Sequence, residues 1–166
     1  MYTSSMKCTR CQTTHCEEAH PIVPVILGID LNTYIQGFPY ITEMNGDNQV
    51  HCDTCSRRTP HVKKEKLNKI ESSTIIFAFD RRDNHYQDLN ITEFLQLGHH
   101  TINTHELVGA TLHFQNHFRS LRKVNNDMYW CNDNRINRLP SGYTPYKDYT
   151  STHATMVVYD KIRNIE

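Results

Sequence analysis

Glu106–Asn134, ELVGATLHFQNHFRSLRKVNNDMYWCNDN, is the stretch on which the fold turns. Val108, Ala110, Leu112 and Phe114 alternate with Gly109, Thr111 and His113, the period of a strand with one covered face. Gln115-Asn116 breaks the alternation, and a second strand is expected over His117–Val124. Asn125-Asn126 is a strong hairpin-turn pair, because Asn tolerates positive φ. A third short strand, Met128–Cys131, leads into Asn132-Asp133-Asn134. A two-residue loop at Asn125-Asn126 pairs Val124 with Asp127, sets Arg119 opposite Asn132 and sets His117 opposite Asn134. A histidine at a strand start is thereby brought beside carboxamides and a carboxylate. That is most of a His-plus-orienter catalytic arrangement, lacking only a nucleophile.

Upstream, Ser73–Phe79 (STIIFAF) is the strongest strand signal, a near-continuous apolar run as in a strand covered on both faces. A charged loop, Asp80–Asn84, follows it. Asp88–Leu97 reads as a short helix capped by Asn90, with Glu93 completing a weak capping box. Downstream, Leu139–Tyr149 is a turn-rich loop bearing Tyr143, Tyr146 and Tyr149. Thr155–Tyr159 is a terminal strand, and Asp160–Glu166 is expected to fray.

Further out lie two Cys-x-x-Cys pairs, Cys8/Cys11 and Cys52/Cys55. Each is a knuckle able to aim two thiolates at one ion, and two knuckles complete a tetrahedral site. The intervening 12–51 exceeds ordinary zinc-finger spacing, so it holds structure of its own, as in a zinc ribbon. The plainer reading is unrelated reduced thiols or a redox pair. His15 and Cys16 sit near the first knuckle as substitute ligands or, more simply, as neighbours of the site. Ile22–Ile29 reads as a strand, with Pro24 marking an edge or a strand start. Asp30 caps a short helix, Leu31–Gln36, ending before Gly37. Asn45-Gly46 signals a hairpin into Gln49–Cys52. Arg57, Arg58, Lys63, Lys64, Lys66 and Lys69 form a basic ramp. Aromatics do not interleave with these charges, which favours a solvated strand face over a nucleic-acid groove.

The bulk numbers agree with a modest α+β domain: 166 residues, 37% hydrophobic, with Lys+Arg and Asp+Glu at 18 each. That balance gives no reason to expect nucleic acid or an anionic membrane as partner. The longest apolar runs are too short to span a bilayer. The first residues carry no apolar core of a signal peptide, so an intracellular location, cytoplasm or nucleus, is expected. The cysteines then read as metal ligands or thiols, not disulfides.

Taken in order, these motifs resemble the ubiquitin-specific protease family, papain-like thiol isopeptidases. Cys8, Cys11, Cys52 and Cys55 match its zinc-binding fingers. Lys66–Arg81 looks like the segment whose strand enters the palm and ends in Arg. Glu106–Phe118 looks like the His box, Trp130–Asn134 like the turn supplying the third catalytic residue, and Thr155–Lys161 like the closing palm strand. The resemblance implies an antiparallel β palm (about 71–166) with zinc-ribbon fingers (about 1–70). It implies structural zinc, and ubiquitin or a ubiquitin-like protein such as SUMO as partner.

By this resemblance His117 is the general base, and Asn132 or Asp133 orients its ring. The hairpin register favours Asn132, and a bulge would favour Asp133. A helical His113/His117 metal pair fits poorly, because the surrounding alternation is that of a strand. An ordinary strand histidine beside a polar turn is the plainer alternative. The family's Gly-Asn-Thr-Cys-Tyr nucleophile box does not occur in the 166 residues, and no thumb segment is recognised. The usual Gly-His-Tyr is Asn116-His117-Phe118. The expectation is a fragment or pseudoenzyme without isopeptidase activity of its own, or a non-catalytic zinc-ribbon module that binds ubiquitin or scaffolds a complex.

Overall fold

The computed structural model describes residues 2–25, 30–67, 73–79, 91–96, 103–140 and 153–163, with backbone alone at 16–18. Along the chain these form β1 (Tyr2–Cys8), β2 (Thr14–His20), β3 (Ile22–Val25), α1 (Leu31–Gln36), β4 (Tyr40–Met44) and a 3-10 turn (Gly46–Asn48). They continue with β5 (Val50–Cys52), β6 (Arg57–Thr59), β7 (His61–Leu67), β8 (Thr74–Phe79), β9 (Phe94–Leu95) and β10 (His105–Phe114). The last are β11 (His117–Val124), β12 (Asp127–Asn132), β13 (Arg135–Arg138) and β14 (Ala154–Lys161). The chain is β-rich, its strands pair mainly antiparallel, and α1 is the one α-helix among the described residues.

Two compact units divide it: Met1–Pro21 with Gly37–Glu71, and Ile22–Gln36 with Ser72–Glu166. In the first, a four-stranded sheet runs in the order β2-β1-β7-β4, and β5 pairs with β6 in a small ribbon. In the two central strands, β1 and β7, the middles are mainly polar and the end residues are covered. Tyr2 and Cys8 are buried at the two ends of β1, and His61 and Leu67 at the two ends of β7. Tyr2 meets the ring of Phe38 edge-on at 6.3 Å. The basic ramp lies partly on this sheet, where Lys63 pairs with Glu65 at 3.1 Å. Asn45-Gly46 does not make a hairpin. It joins β4, which pairs with β7, to β5, which pairs with β6. The residues are used as a connector through the 3-10 turn, with Gly46 at φ +56.

The second unit is an eight-stranded sheet, β13-β12-β11-β10-β14-β8-β3, with β9 on β10. Its core is apolar and continuous: Phe77, Val157, Tyr159, Ala154 and Leu95 are all fully covered. Tyr159 donates its hydroxyl to the carbonyl of Thr92 at 2.6 Å, and burial pushes its pKa up. β3 lies at the sheet edge, parallel to β8, which is where Pro24 can go without breaking a ladder. Asp30 caps α1, its carboxylate accepting the Thr33 amide at 3.0 Å. Leu31, Tyr34 and Ile35 form the helix's buried face.

Three local readings change. The described part of 88–97 is not helical: Phe94–Leu95 is a short strand on β10, and Asn90 lies outside the described residues. The register of β10 on β14 slips between Leu107 and Gly109. Val108 is thus the extra residue of a bulge, and the covered face runs Leu107, Ala110, Leu112. The chain end does not fray at Asp160. Asp160 and Lys161 continue β14, and the Lys161 amide donates to the Ser73 carbonyl at 2.7 Å. Arg81, Lys69 and the tyrosines of 141–150 lie outside the described residues.

Candidate functional site

Two clusters carry chemistry, one in each unit. In the first unit the two Cys-x-x-Cys knuckles meet. Cys8 ends β1, Cys52 ends β5, and Cys11 and Cys55 lie in the turns that follow. Their sulfurs lie within 4.8 Å of one another, close enough to hold a metal ion. Cys11 Sγ is 3.6 Å from Cys52 Sγ, and Cys8 Sγ is 4.0 Å from Cys55 Sγ. A tetrahedral ion with metal–sulfur bonds of about 2.3 Å needs sulfurs about 3.8 Å apart, so the donors fit zinc. The turns are shaped for this. Gln12 and Ser56, each following its knuckle's second cysteine, take left-handed φ of 63 and 51. The Cys55 amide donates to Cys52 Sγ at 3.4 Å.

The thiols are not equivalent. Burial raises Cys8, but the Cys11 amide, the Thr59 hydroxyl at 3.1 Å and the Arg10 amide outweigh it and bring the pKa to about 5. The Thr13 hydroxyl and amide lower Cys11 to about 7. Burial raises Cys52, and burial with the neighbouring sulfurs raises Cys55 to about 12. Ionised and protonated thiols side by side are what a cation would resolve by taking all four as thiolates.

Two histidines join this cluster. His15 Nε2 lies 3.0 Å from Cys52 Sγ, and His61 is buried beside Cys8, its partner across β1–β7. No Cys/His spacing in the sequence marks His61. Only the strand register brings it to the site.

In the second unit, tight turns set the other cluster. Phe114 pairs with His117 across Gln115-Asn116, both at positive φ. Val124 pairs with Asp127 across Asn125-Asn126. Asn132 pairs with Arg135 across Asp133-Asn134. His117 therefore begins β11 at the same sheet end where Asn132 finishes β12. The ring Nε2–H donates to Asn132 Oδ1 at 2.5 Å. Asp133 Oδ2 is 3.7 Å from the same nitrogen, beyond a hydrogen bond, and its side chain is 74% exposed, so its field on the ring is screened.

With Nε2 as the donor, Nδ1 is the basic nitrogen. Arg119 lies over the Trp130 ring at 5.7 Å, and Phe118 lies against His113 at 4.6 Å. Cys131 precedes Asn132 on β12, and alternate strand residues point to opposite faces. Its thiol therefore leaves the side that holds His117. The arrangement can orient an imidazole and accept a proton; among the described residues it shows no thiol facing that ring.

Compared with models of protein families and with curated proteins, the chain matches none.

Proposed function

We propose that this chain is a fingers-and-palm module of the ubiquitin-specific-protease kind. Cys8, Cys11, Cys52 and Cys55 hold structural zinc, and the His117 end of the large sheet meets ubiquitin or a ubiquitin-like protein such as SUMO. The observation that carries the reading is the His117–Asn132 hydrogen bond at 2.5 Å, with Asp133 as the outer carboxylate. An amide oxygen on one ring nitrogen and a basic nitrogen opposite is the receiving half of a thiol isopeptidase site. In such a site the nucleophilic thiol loses its proton to His117 Nδ1 as it attacks the isopeptide carbonyl.

The 166 residues hold no Gly-Asn-Thr-Cys-Tyr box, so the chain alone leaves ubiquitin conjugates uncut. A non-catalytic ubiquitin-binding scaffold is the second reading, and the orientation of Cys131 away from His117 favours it. The module works inside the cell, on protein partners and not on nucleic acid. Among the described residues no helix is long and apolar enough to cross a membrane.

The test is an amide NMR titration with ubiquitin and with SUMO. Shifts concentrated at the His117 end of β10–β12 are expected with one of them. Absence of shifts with both overturns the partner assignment. Turnover of a ubiquitin–fluorophore substrate that disappears in His117→Ala would overturn the claim that the chain is inactive alone.

A further inference from the structure

The cysteine cluster has a second donor set that shares two of its sulfurs. Ligand atoms of Cys8, His15, Cys52 and His61 lie within 4.8 Å of one another, as do those of Cys8, Cys11, Cys52 and Cys55. Cys8 and Cys52 belong to both sets, and both are fully buried.

His61 is the telling residue. It is 1% exposed. Its Nδ1 lies 2.8 Å from the Thr59 carbonyl, which can only accept, so Nδ1 carries the proton and Nε2 presents a bare lone pair. Among the described residues that buried Nε2 has no hydrogen-bond partner. A backbone carbonyl on one ring nitrogen and an open lone pair on the other is how a metal-binding imidazole is held. A buried acceptor left unmatched is costly unless an electron-poor atom sits against it.

His15 arrives by a distortion of the sheet. The β1–β2 register passes from Met6↔Cys16 to Lys7↔Thr14, which leaves His15 as the extra residue of a bulge. Bulges re-aim side chains. This one sets Nε2 3.0 Å from Cys52 Sγ and the ring 5.6 Å from that of His61. A simple hydrogen bond from His15 to the sulfur would explain His15 but not the orphaned nitrogen of His61.

We propose that His15 and His61 bind a second zinc ion, joined to the first through the thiolates of Cys8 and Cys52. The proposal rests on the four-cysteine zinc reading above and extends it. Thiolate sulfur keeps lone pairs after binding one ion, so it can bridge. A tetrahedral ion on two sulfurs and two imidazoles needs donors about 3.3 to 3.8 Å apart. Small side-chain movements reach that from the present separations. Charge favours the pair. One zinc on four thiolates leaves about two net negative charges in a buried place, and a second zinc with two neutral imidazoles cancels them.

The test is zinc content of the full chain, loaded with zinc and dialysed against metal-free buffer, by mass spectrometry. About two ions per chain are expected, falling to one in His15→Ala and in His61→Ala. Removing buried His61 endangers the local fold, so His15→Ala at a partly exposed position and the unmodified chain carry the test independently. In the unmodified chain loaded with cobalt, thiolate bridging couples the two spins. The EPR signal per cobalt should fall as the second equivalent binds. One ion that survives both histidine variants overturns the second site and leaves the four-cysteine site standing. One ion lost in the histidine variants but kept in Cys55→Ser places a single ion on the histidine set and overturns the pair. Two ions retained in both histidine variants also overturn it. No ion at all overturns both readings.

Discussion

In the first unit β1 and β7 bury their end residues and leave their middles partly open; in the second, β8, β10 and β14 bury residues along their whole length. The sequence cause is visible strand by strand. β1 reads YTSSMKC and β7 HVKKEKL, polar between their terminal residues except for Met6 and Val62. β8 reads TIIFAF and covers Ile75, Phe77 and Phe79. A sheet with little apolar material between its ends gains little from hydrophobic burial, and small units of this kind depend on a metal or a disulfide. The first unit therefore concentrates its order at two points: the aromatic contact of Tyr2 with Phe38, and the sulfur–imidazole cluster. The second spreads it through a layer.

The harshest way to break this comparison is Cys52→Ser. It removes a sulfur shared by both donor sets, and structural zinc contributes on the order of 10 kcal/mol to folding. Hydrogen exchange should show β1, β2 and β7 amides losing protection, with β8, β10 and β14 keeping theirs. Loss of protection throughout, or in neither unit, would refute the contrast. The converse variant is Phe77→Ala, at a fully covered position edge-on to Tyr159 at 5.9 Å. A cavity there should cost about 3–5 kcal/mol in denaturant unfolding followed by far-UV CD, with zinc content unchanged.

Acid sharpens the contrast. With Cys8 at about 5 and Cys11 at about 7, Cys52 raised and Cys55 at about 12, the metal-free cluster at neutral pH keeps protons mainly on Cys52 and Cys55. Binding must expel the protons of Cys52 and Cys55 and about half a proton from Cys11, so apparent zinc affinity should fall by more than about 100-fold per pH unit lost near neutrality. In the metal-free chain the lowered Cys8 favours the fold above the ordinary thiol pKa and loses that contribution as pH falls through about 5. The raised Cys55 favours the fold below the ordinary thiol pKa and loses it as pH rises towards about 12. Calorimetry in buffers of different ionisation enthalpy counts the protons. A count near zero would contradict the thiol assignments.

The same two regions differ in how much could be read from the chain. The Asn125-Asn126 turn carries its own backbone preference, so Val124 opposite Asp127, and with it the arrival of Asn132 near His117, follows from local chemistry. The Cys-x-x-Cys knuckles are equally local. Bulges are not. Val108 and His15 sit in runs whose residue types give no sign of an extra residue, and each appears only once its partner strand is in place. His61 is invisible for a related reason: its link to the site is the β1–β7 register, Cys8↔His61, across a long sequence separation. Ile22–Gln36 interrupts a division near residue 70 in the same way, because β3 finds β8 by long-range parallel pairing.

Asn132→Ala tests the His117 end more gently. It removes a partly exposed hydrogen bond, so the stability cost should be about 1 kcal/mol. The informative readout is the ring tautomer. Long-range proton–nitrogen spectra should show neutral His117 with its proton on Nε2 in the wild type, and a mixture of tautomers in Asn132→Ala. An unchanged tautomer would transfer the orienting role away from Asn132.

The smallest effect separates the two regions by their turns. In the second unit Asn125 and Asp133, at φ 56 and 50, are residue types whose short polar side chains tolerate the left-handed region, whereas Gln115, at φ 49, shares the cost of the knuckle residues. The knuckles place Gln12 at φ 63 and Ser56 at φ 51, where the side chain is a steric cost and glycine is free of it. Ser56 is exposed, and its hydroxyl contact with the Asp53 carbonyl, at 3.4 Å, is long. The backbone bond from the Ser56 amide to that carbonyl, 3.2 Å, survives substitution. Ser56→Gly should therefore stabilise the zinc-loaded chain by about 0.5–1 kcal/mol, after the greater freedom of glycine in the unfolded chain is set against the relief of strain. Asn125→Gly should change stability by less than about 0.5 kcal/mol, since little strain is present to relieve. Matched denaturant titrations of the two variants decide it. Equal effects would mean that the knuckle backbone carries no more strain than an ordinary hairpin turn, and that the four cysteines are brought together without distorting the chain that holds them.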